Sequence, residues 1–220
     1  MELTFDNRVI ELLSARLCHD LINPVAAIGN GVELISEFRE EMAGEAIALI
    51  GDSAKAASSL LQFYRVAFGS ARAADGGGIG LGEARRRALA CLGSPRIDLV
   101  WPDDGDLDRL AVGRDGVKLL LNVVLVAVEA LPGAGRVVVG LERDGARLRA
   151  AVSAAKDGFV VPDDMQAVLD GRASVDELTP YTVVAYYARR LAEAMGGTLA
   201  VAGAPGRLSM AVELRVGGEA

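Results

Sequence analysis

Arg16-Leu17-Cys18-His19-Asp20-Leu21-Ile22-Asn23-Pro24-Val25-Ala26-Ala27 carries the chain's single histidine inside a stretch that otherwise reads as one long amphipathic helix. Outward from it, over residues 8–40, Ile10, Leu17, Leu21, Ile28 and Ile35 lie on a stripe spaced by threes and fours, the period of a buried helix face. Ser14, Pro24 and Gly31 fill the remaining stripe positions. Residues 43–69 repeat the pattern with Ile50, Ala54, Ala57, Leu61, Tyr64 and Phe68, and the Ala43-Gly44 region supplies the turn. Two helices of about 27 to 33 residues would each run roughly 40 to 50 Å, too long for a lone hairpin to cover both stripes. The expectation is a homodimer, in which a second copy completes a four-helix bundle by two-fold symmetry. The alternative is that the C-terminal half covers the hairpin. The heptad-like period, sustained through both helices, favours the dimer.

With 220 residues, 51% of them hydrophobic, the chain fills a substantial core. A formal net charge of -7 argues against nucleic acid or an anionic membrane surface as partner, since both need a basic face. Two cysteines, Cys18 and Cys91, are too few for a disulfide framework, and no basic-then-apolar leader opens the chain. The most apolar run, Leu119 to Leu131, is shorter than the roughly 20 residues a membrane-spanning helix needs, and it contains Asn122 and Glu129. These features together predict a reduced cytoplasmic protein that neither spans a membrane nor binds nucleic acid.

Gly76-Gly77-Gly78-Ile79-Gly80 separates two regimes, giving a hairpin over residues 1–72, a linker over 73–82 and a second unit over 83–220. The second unit reads as mixed α+β. Helices are expected at Leu81 to Leu92, Asp115 to Leu131 and Tyr181 to Met195, with stops at Pro132-Gly133 and Gly196-Gly197. Strands are expected at Ile97 to Val100, Arg136 to Glu142, Arg147 to Ser153, Thr198 to Ala202 and Leu208 to Val216, with Asp144-Gly145 as a hairpin signal. Strands and helices in this arrangement give an α/β sandwich.

The helical face through His19 collects Arg16, Asn23, Ala26 and Asn30, a polar and small-chained face that projects the imidazole into solvent. Pro24 removes a backbone hydrogen bond one turn beyond the histidine and clashes with the carbonyl of Asp20, at a cost of about 3 kcal/mol, so a kink there points to function. Asp20 is placed to orient the imidazole or accept its ring proton, and Asn23 to hydrogen-bond whatever group the imidazole carries. A Cys18–His19 nucleophile pair is disfavoured because adjacent helical residues point about 100° apart. Cys18 belongs instead with Ile22, Val25 and Val32 on the packing side. One histidine without clustered cysteines makes no metal site.

His19-Asp20-Leu21-Ile22-Asn23-Pro24, followed by Gly29, Glu33, Leu34 and Ile35, resembles the phosphoacceptor box of two-component sensor histidine kinases. The resemblance implies that His19 is phosphorylated and that the hairpin is a dimerisation and phosphotransfer domain. The region from Arg189 through Gly196-Gly197 to Pro205-Gly206 is similar to the end of the kinase ATP-binding domain. In that register the glycine-rich lid box falls on Thr182-Val183-Val184, without glycine. The two-asparagine box keeps Asn122 but has Val126 at the second, metal-holding position, and the adenine-reading Asp-x-Gly-x-Gly box falls near Ala154 to Gly158 with Asp157 out of register. The fold is kept, and nucleotide binding is expected to be lost.

In length, box order and degeneracy the chain resembles the ChpT-type histidine phosphotransferases of alphaproteobacterial phosphorelays. The resemblance implies that phosphoryl comes from the receiver domain of a hybrid kinase, CckA-like, and passes to response regulators, CtrA-like and CpdR-like. It also implies that the chain needs no cofactor of its own, with magnesium carried by the receiver. Ala26 and Ala27 would let the receiver's helix approach closely, while Arg16 would pair with a receiver carboxylate and Asn30 would lie on the same docking face. A helix from Tyr181 to Leu191, bearing Tyr181, Tyr186 and Tyr187, is either a partner surface or core. Two other readings stay open: an ATP-dependent sensor histidine kinase, and a non-catalytic dimeric interaction protein.

Overall fold

Asp6 starts the first helix by accepting the Arg8 N–H on its carboxylate (2.8 Å) and the Val9 N–H on its carbonyl (3.0 Å). The computed structural model describes residues 6–38, 42–69, 79–103, 105, 110 and 112–216. Helix α1 (Asn7–Phe38) continues through Pro24, and α2 (Ala43–Ala67) returns alongside it. Ala43 and Gly44, expected in the turn, are helical and open α2 after Met42. Two helix faces meet closely at Gly31, where a Cβ would lie 2.6 Å from Ile50 Cγ1. The expected linker glycines Gly76 to Gly78 lie outside the described residues. Ile79, at their end, is already buried.

Helix α3 (Leu81–Leu92) leads into β1 (Ile97–Val100), through a turn in which Ser94 Oγ accepts the Ile97 N–H at 3.1 Å. Next come α4 (Arg114–Ala130), β2 (Gly135–Asp144), β3 (Arg147–Ala155), α5 (Asp163–Leu169), a single 3-10 turn (Val175–Glu177), α6 (Val183–Ala194), β4 (Ala200–Ala204) and β5 (Arg207–Arg215). The strands form one sheet in the order β1-β2-β3-β5-β4, parallel between β1 and β2 and antiparallel elsewhere. Gly145 (φ +55°) begins the two-residue turn between β2 and β3, and Pro205-Gly206 makes the β4–β5 turn with Gly206 at φ +75°.

Alternation fixes which face of the sheet is covered. Leu148, Ala150, Val152 and Ala154 of β3 pair in register with Leu214, Val212, Met210 and Leu208 of β5, and all are buried on the face that α4 covers. Helix α4 is buried along nearly all of its length. The same apolar cluster extends into the hairpin: Val9, Phe63, Tyr64, Val66 and Ala67 belong to it. An aromatic ladder continues the link, with Tyr64 to Phe68 ring centroids at 5.4 Å and Phe68 to Tyr187 at 5.7 Å.

Two elements lie in sequence for which no structure was expected. Helix α5 follows Pro162 and buries Met165, Val168 and Leu169, while the 3-10 turn is closed by a box in which Ser174 N and Oγ both donate to Glu177 Oε2. Each is too short to leave a readable period. Helix α6 starts at Val183 rather than Tyr181, because Thr182 Oγ1 takes the Thr179 N–H and holds residues 179–182 in a turn.

Candidate functional site

Midway along α1 the His19 side chain is 59% exposed, as its helical face predicts. Its Nδ1 stands 3.2 Å from Asp20 Oδ1. A carboxylate only accepts hydrogen bonds, so the contact requires the proton on Nδ1 and leaves the lone pair on Nε2. Asn23, Ala26 and Asn30 are exposed on the same side and Ala27 is half-buried.

Asp20 is itself tightly held. Its Oδ2 accepts Arg16 Nε at 2.9 Å and also the hydroxyl of Tyr64, which reaches it from α2. Burial, and then the bond to Asp20, keep the Tyr64 hydroxyl far above the usual tyrosine range, so it is a permanent donor. One carboxylate oxygen is thereby taken up by two donors, and the other faces the imidazole.

Arg16 does not stand free for a receiver carboxylate. Its side chain is only 13% exposed, bound to Asp20 through Nε and with Nη2 2.9 Å from Glu129 Oε1 of α4. Helical spacing places Arg16 one turn before Asp20, and the acidic neighbours draw it inward along that face. Burial lowers the Arg16 pKa, but Glu129 and then Asp20 outweigh it and hold the guanidinium above its ordinary value. Glu129 is almost fully enclosed and makes no well-aligned hydrogen bond. Burial lifts its carboxyl to about 8 against the pull of Arg16. One cation therefore serves two acids, and burial works against the charge on the inner one.

The C-terminal unit touches the imidazole directly. Tyr181 and His19 pack their rings in a T-shaped pair, with centroids 6.3 Å apart and planes at 75°, and Arg16 lies 5.4 Å over the Tyr181 ring. Cys91, half-buried near Asp20, has its thiol pushed up by burial to about 12 and is no nucleophile. Cys18, expected to be buried, is exposed, as are Ile22, Val25 and Val32 on its stripe. The sequence does not single out Glu129, Tyr64 or Tyr181 for this cluster. Each arrives from a distant segment, and only the fold brings them together.

Side chains at the positions of the degenerate boxes are packed into the fold. Asn122 is fully buried, donating to the Ala67 carbonyl at 2.7 Å and the Lys118 carbonyl at 2.8 Å, so it ties α4 to the end of α2. Val126, Ala154, Val183 and Val184 are all packed in the core. Among the described residues no group of three or more His, Cys, Asp or Glu side chains could hold a metal ion, and no helix is long and apolar enough to cross a membrane.

A family model described as histidine phosphotransferase C-terminal domain matches residues 81–206. The chain is 34% identical over 190 residues to a protein phosphotransferase, ChpT, of Brucella abortus (strain 2308), covering 86% of this chain and 88% of that one. A solved structure of a bacterial phosphotransferase superposes with a TM-score of 0.78 at 30% identity, covering 94% of this chain and 97% of the other. The catalytic domain of the histidine kinase ThkA is similar at 18% identity and a TM-score of 0.48, over 62% of this chain and 93% of that one.

Proposed function

The chain belongs to the histidine phosphotransferase family, and on that premise we propose that His19 is its phosphoryl carrier, exchanging phosphoryl with receiver-domain aspartates in a phosphorelay. The observation that carries this reading is the contact of His19 Nδ1 with an Asp20 already fixed by Arg16 and Tyr64.

In the forward step the Nε2 lone pair attacks the phosphorus of a receiver's aspartyl phosphate. A P–N bond forms, the P–O bond to the receiver breaks, and the receiver carboxylate leaves. The Nδ1 proton stays on the ring, and Asp20 stabilises the positive charge that phosphorylation places on the imidazole. In the return step an acceptor carboxylate attacks the same phosphorus and His19 leaves with its lone pair restored. Such transfer depends mainly on positioning and electrostatic stabilisation, which is what this site's fixed network supplies. Magnesium belongs to the receiver in this reading, and the chain brings no cofactor. Asn23 is placed one turn along to hydrogen-bond the phosphoryl group. Ala26, Ala27 and Asn30 form a low surface on which a receiver helix can lie. Arg16 serves the protein's own network rather than the receiver.

The finer partners follow the resemblance: a CckA-like hybrid kinase as donor, and CtrA-like and CpdR-like regulators as acceptors. A homodimer is supported by two exposed apolar stripes on the hairpin, Ile22, Val25 and Val32 on α1 and Ile47 and Leu61 on α2. Cytoplasmic placement agrees with the two unpaired cysteines.

The test is to incubate the protein with a phosphorylated receiver and, separately, with labelled ATP, with His19→Ala as control. Label should come from the receiver alone and disappear in the variant. Label from ATP would instead mark a kinase, and label that survives His19→Ala would place the carrier elsewhere.

A further inference from the structure

The turn that leads into α6, just before the residues that the resemblance sets at the kinase lid box, is pinned. Thr179 N–H donates to Thr182 Oγ1 at 2.9 Å, Tyr181 N–H reaches Thr179 Oγ1 at 3.3 Å, and Thr182 is buried. Just upstream, Arg8 of α1 donates to the carbonyls of Asp176 and Leu178 at 3.4 and 3.3 Å. Helix α1 thus holds this segment from one side while the Thr179–Thr182 turn holds it from within. Tyr181, 58% exposed at the tip, has its ring fixed between two α1 side chains: the guanidinium of Arg16 over its face and the imidazole of His19 against it edge to face.

Among the described residues, His19 is otherwise constrained by the Nδ1 contact with Asp20. A single such bond lets the exposed ring rock about its Cβ–Cγ axis. The tyrosine ring removes part of that freedom. Among the described residues the Tyr181 hydroxyl makes no hydrogen bond to His19, so the aromatic ring and not the phenol carries the effect.

We propose that Tyr181 is a positioning residue for phosphoryl transfer: from the C-terminal unit, it restricts the His19 imidazole so that Nε2 faces the incoming phosphorus. In this way the turn that leads into α6 completes the phosphoacceptor site. The inference rests on His19 being the carrier, and the experiment below separates the two.

The full-length wild type, Tyr181→Ala, Tyr181→Phe and His19→Ala are each phosphorylated by a phosphorylated receiver at varied concentration and by phosphoramidate, a small donor that docks on no protein surface. Tyr181→Ala should lower the maximal transfer rate by about three- to tenfold, the range expected for one aromatic pair, with little change in half-saturating receiver concentration. It should slow phosphoramidate labelling to a similar degree, and Tyr181→Phe should restore both. Because His19 is the only histidine, its ring nitrogens give unambiguous signals, and these should show increased ring mobility in Tyr181→Ala. Unchanged phosphoramidate labelling, or a loss confined to half-saturation, would make Tyr181 a docking residue and overturn the proposal. A wild type that takes label from neither donor sinks the carrier reading itself; a labelled wild type matched by Tyr181→Ala sinks only the role of Tyr181.

Discussion

Glu129 is the residue whose removal reports most directly on the site. Its carboxyl is enclosed between α4 and α1 and faces the Arg16 guanidinium and, behind it, the Asp20 carboxylate. Burial raises its pKa from an ordinary 4.5 to about 8, so the folded state keeps a proton that the unfolded chain releases. Between those values the unfolded state binds fewer protons, and stability must fall as pH rises through the window. Melting temperatures measured from pH 5 to pH 8 should decline in the wild type, and Glu129→Gln should flatten the slope. A slope equal in both proteins would show that the carboxyl does not titrate there. The visibility of this site in the sequence divides along the same line. His19 and Asp20 are adjacent, so their pairing is readable, and the helical step from Arg16 to Asp20 is readable too. The inward turn of Arg16 is not, because it depends on Glu129, which in sequence is only a polar interruption of an apolar helix. Tyr64 likewise reads as one more stripe residue, although it lies 44 residues from the Asp20 it holds.

The elements show where periodicity suffices. Leu81–Leu92 and Ile97–Val100 are found where the pattern sets them, and the long helices and the β2–β3 hairpin differ only at their ends. Period fails for α5 and the 3-10 turn, which bury too few side chains to show one, and it misjudges α6 because a threonine cap rather than an apolar residue sets its start. Period also leaves open which side of a stripe faces what. Cys18, Ile22, Val25 and Val32 form a coherent apolar row, yet they point away from the chain's core. Between α1 and α2 the contact depends on Gly31, whose missing Cβ leaves room for Ile50 Cγ1 and the Ala46 carbonyl at 2.6 and 3.2 Å. Gly31→Ala gains about 1 kcal/mol in helix propensity but overpacks a stiff, β-branched neighbour at a cost of about 1–3 kcal/mol. A net loss of about 1 kcal/mol is expected, read as a lower urea midpoint with unchanged slope. A midpoint equal to or above wild type would mean that the helices part without cost.

For the whole molecule, the first measurement is mass in solution. The two exposed stripes predict a dimer by light scattering, and Ile22→Glu with Leu61→Glu should convert it to monomer while leaving far-ultraviolet circular dichroism intact. A double variant that stays dimeric would move the interface off the hairpin. Sequence composition and charge bound the class of partner but not the joint between the two halves, because that joint is built from residues scattered along the chain. Val9 and Phe63 share one apolar cluster with Leu119 and Val126, and Asn122 fastens α4 to the last turn of α2. Cutting the chain near its glycines would leave both pieces with raw hydrophobic faces. The hairpin is therefore no cassette that gene fusion could lift out and set in front of another protein. Its sequence is committed to the partner half it already has, and the two can change over evolutionary time only in step.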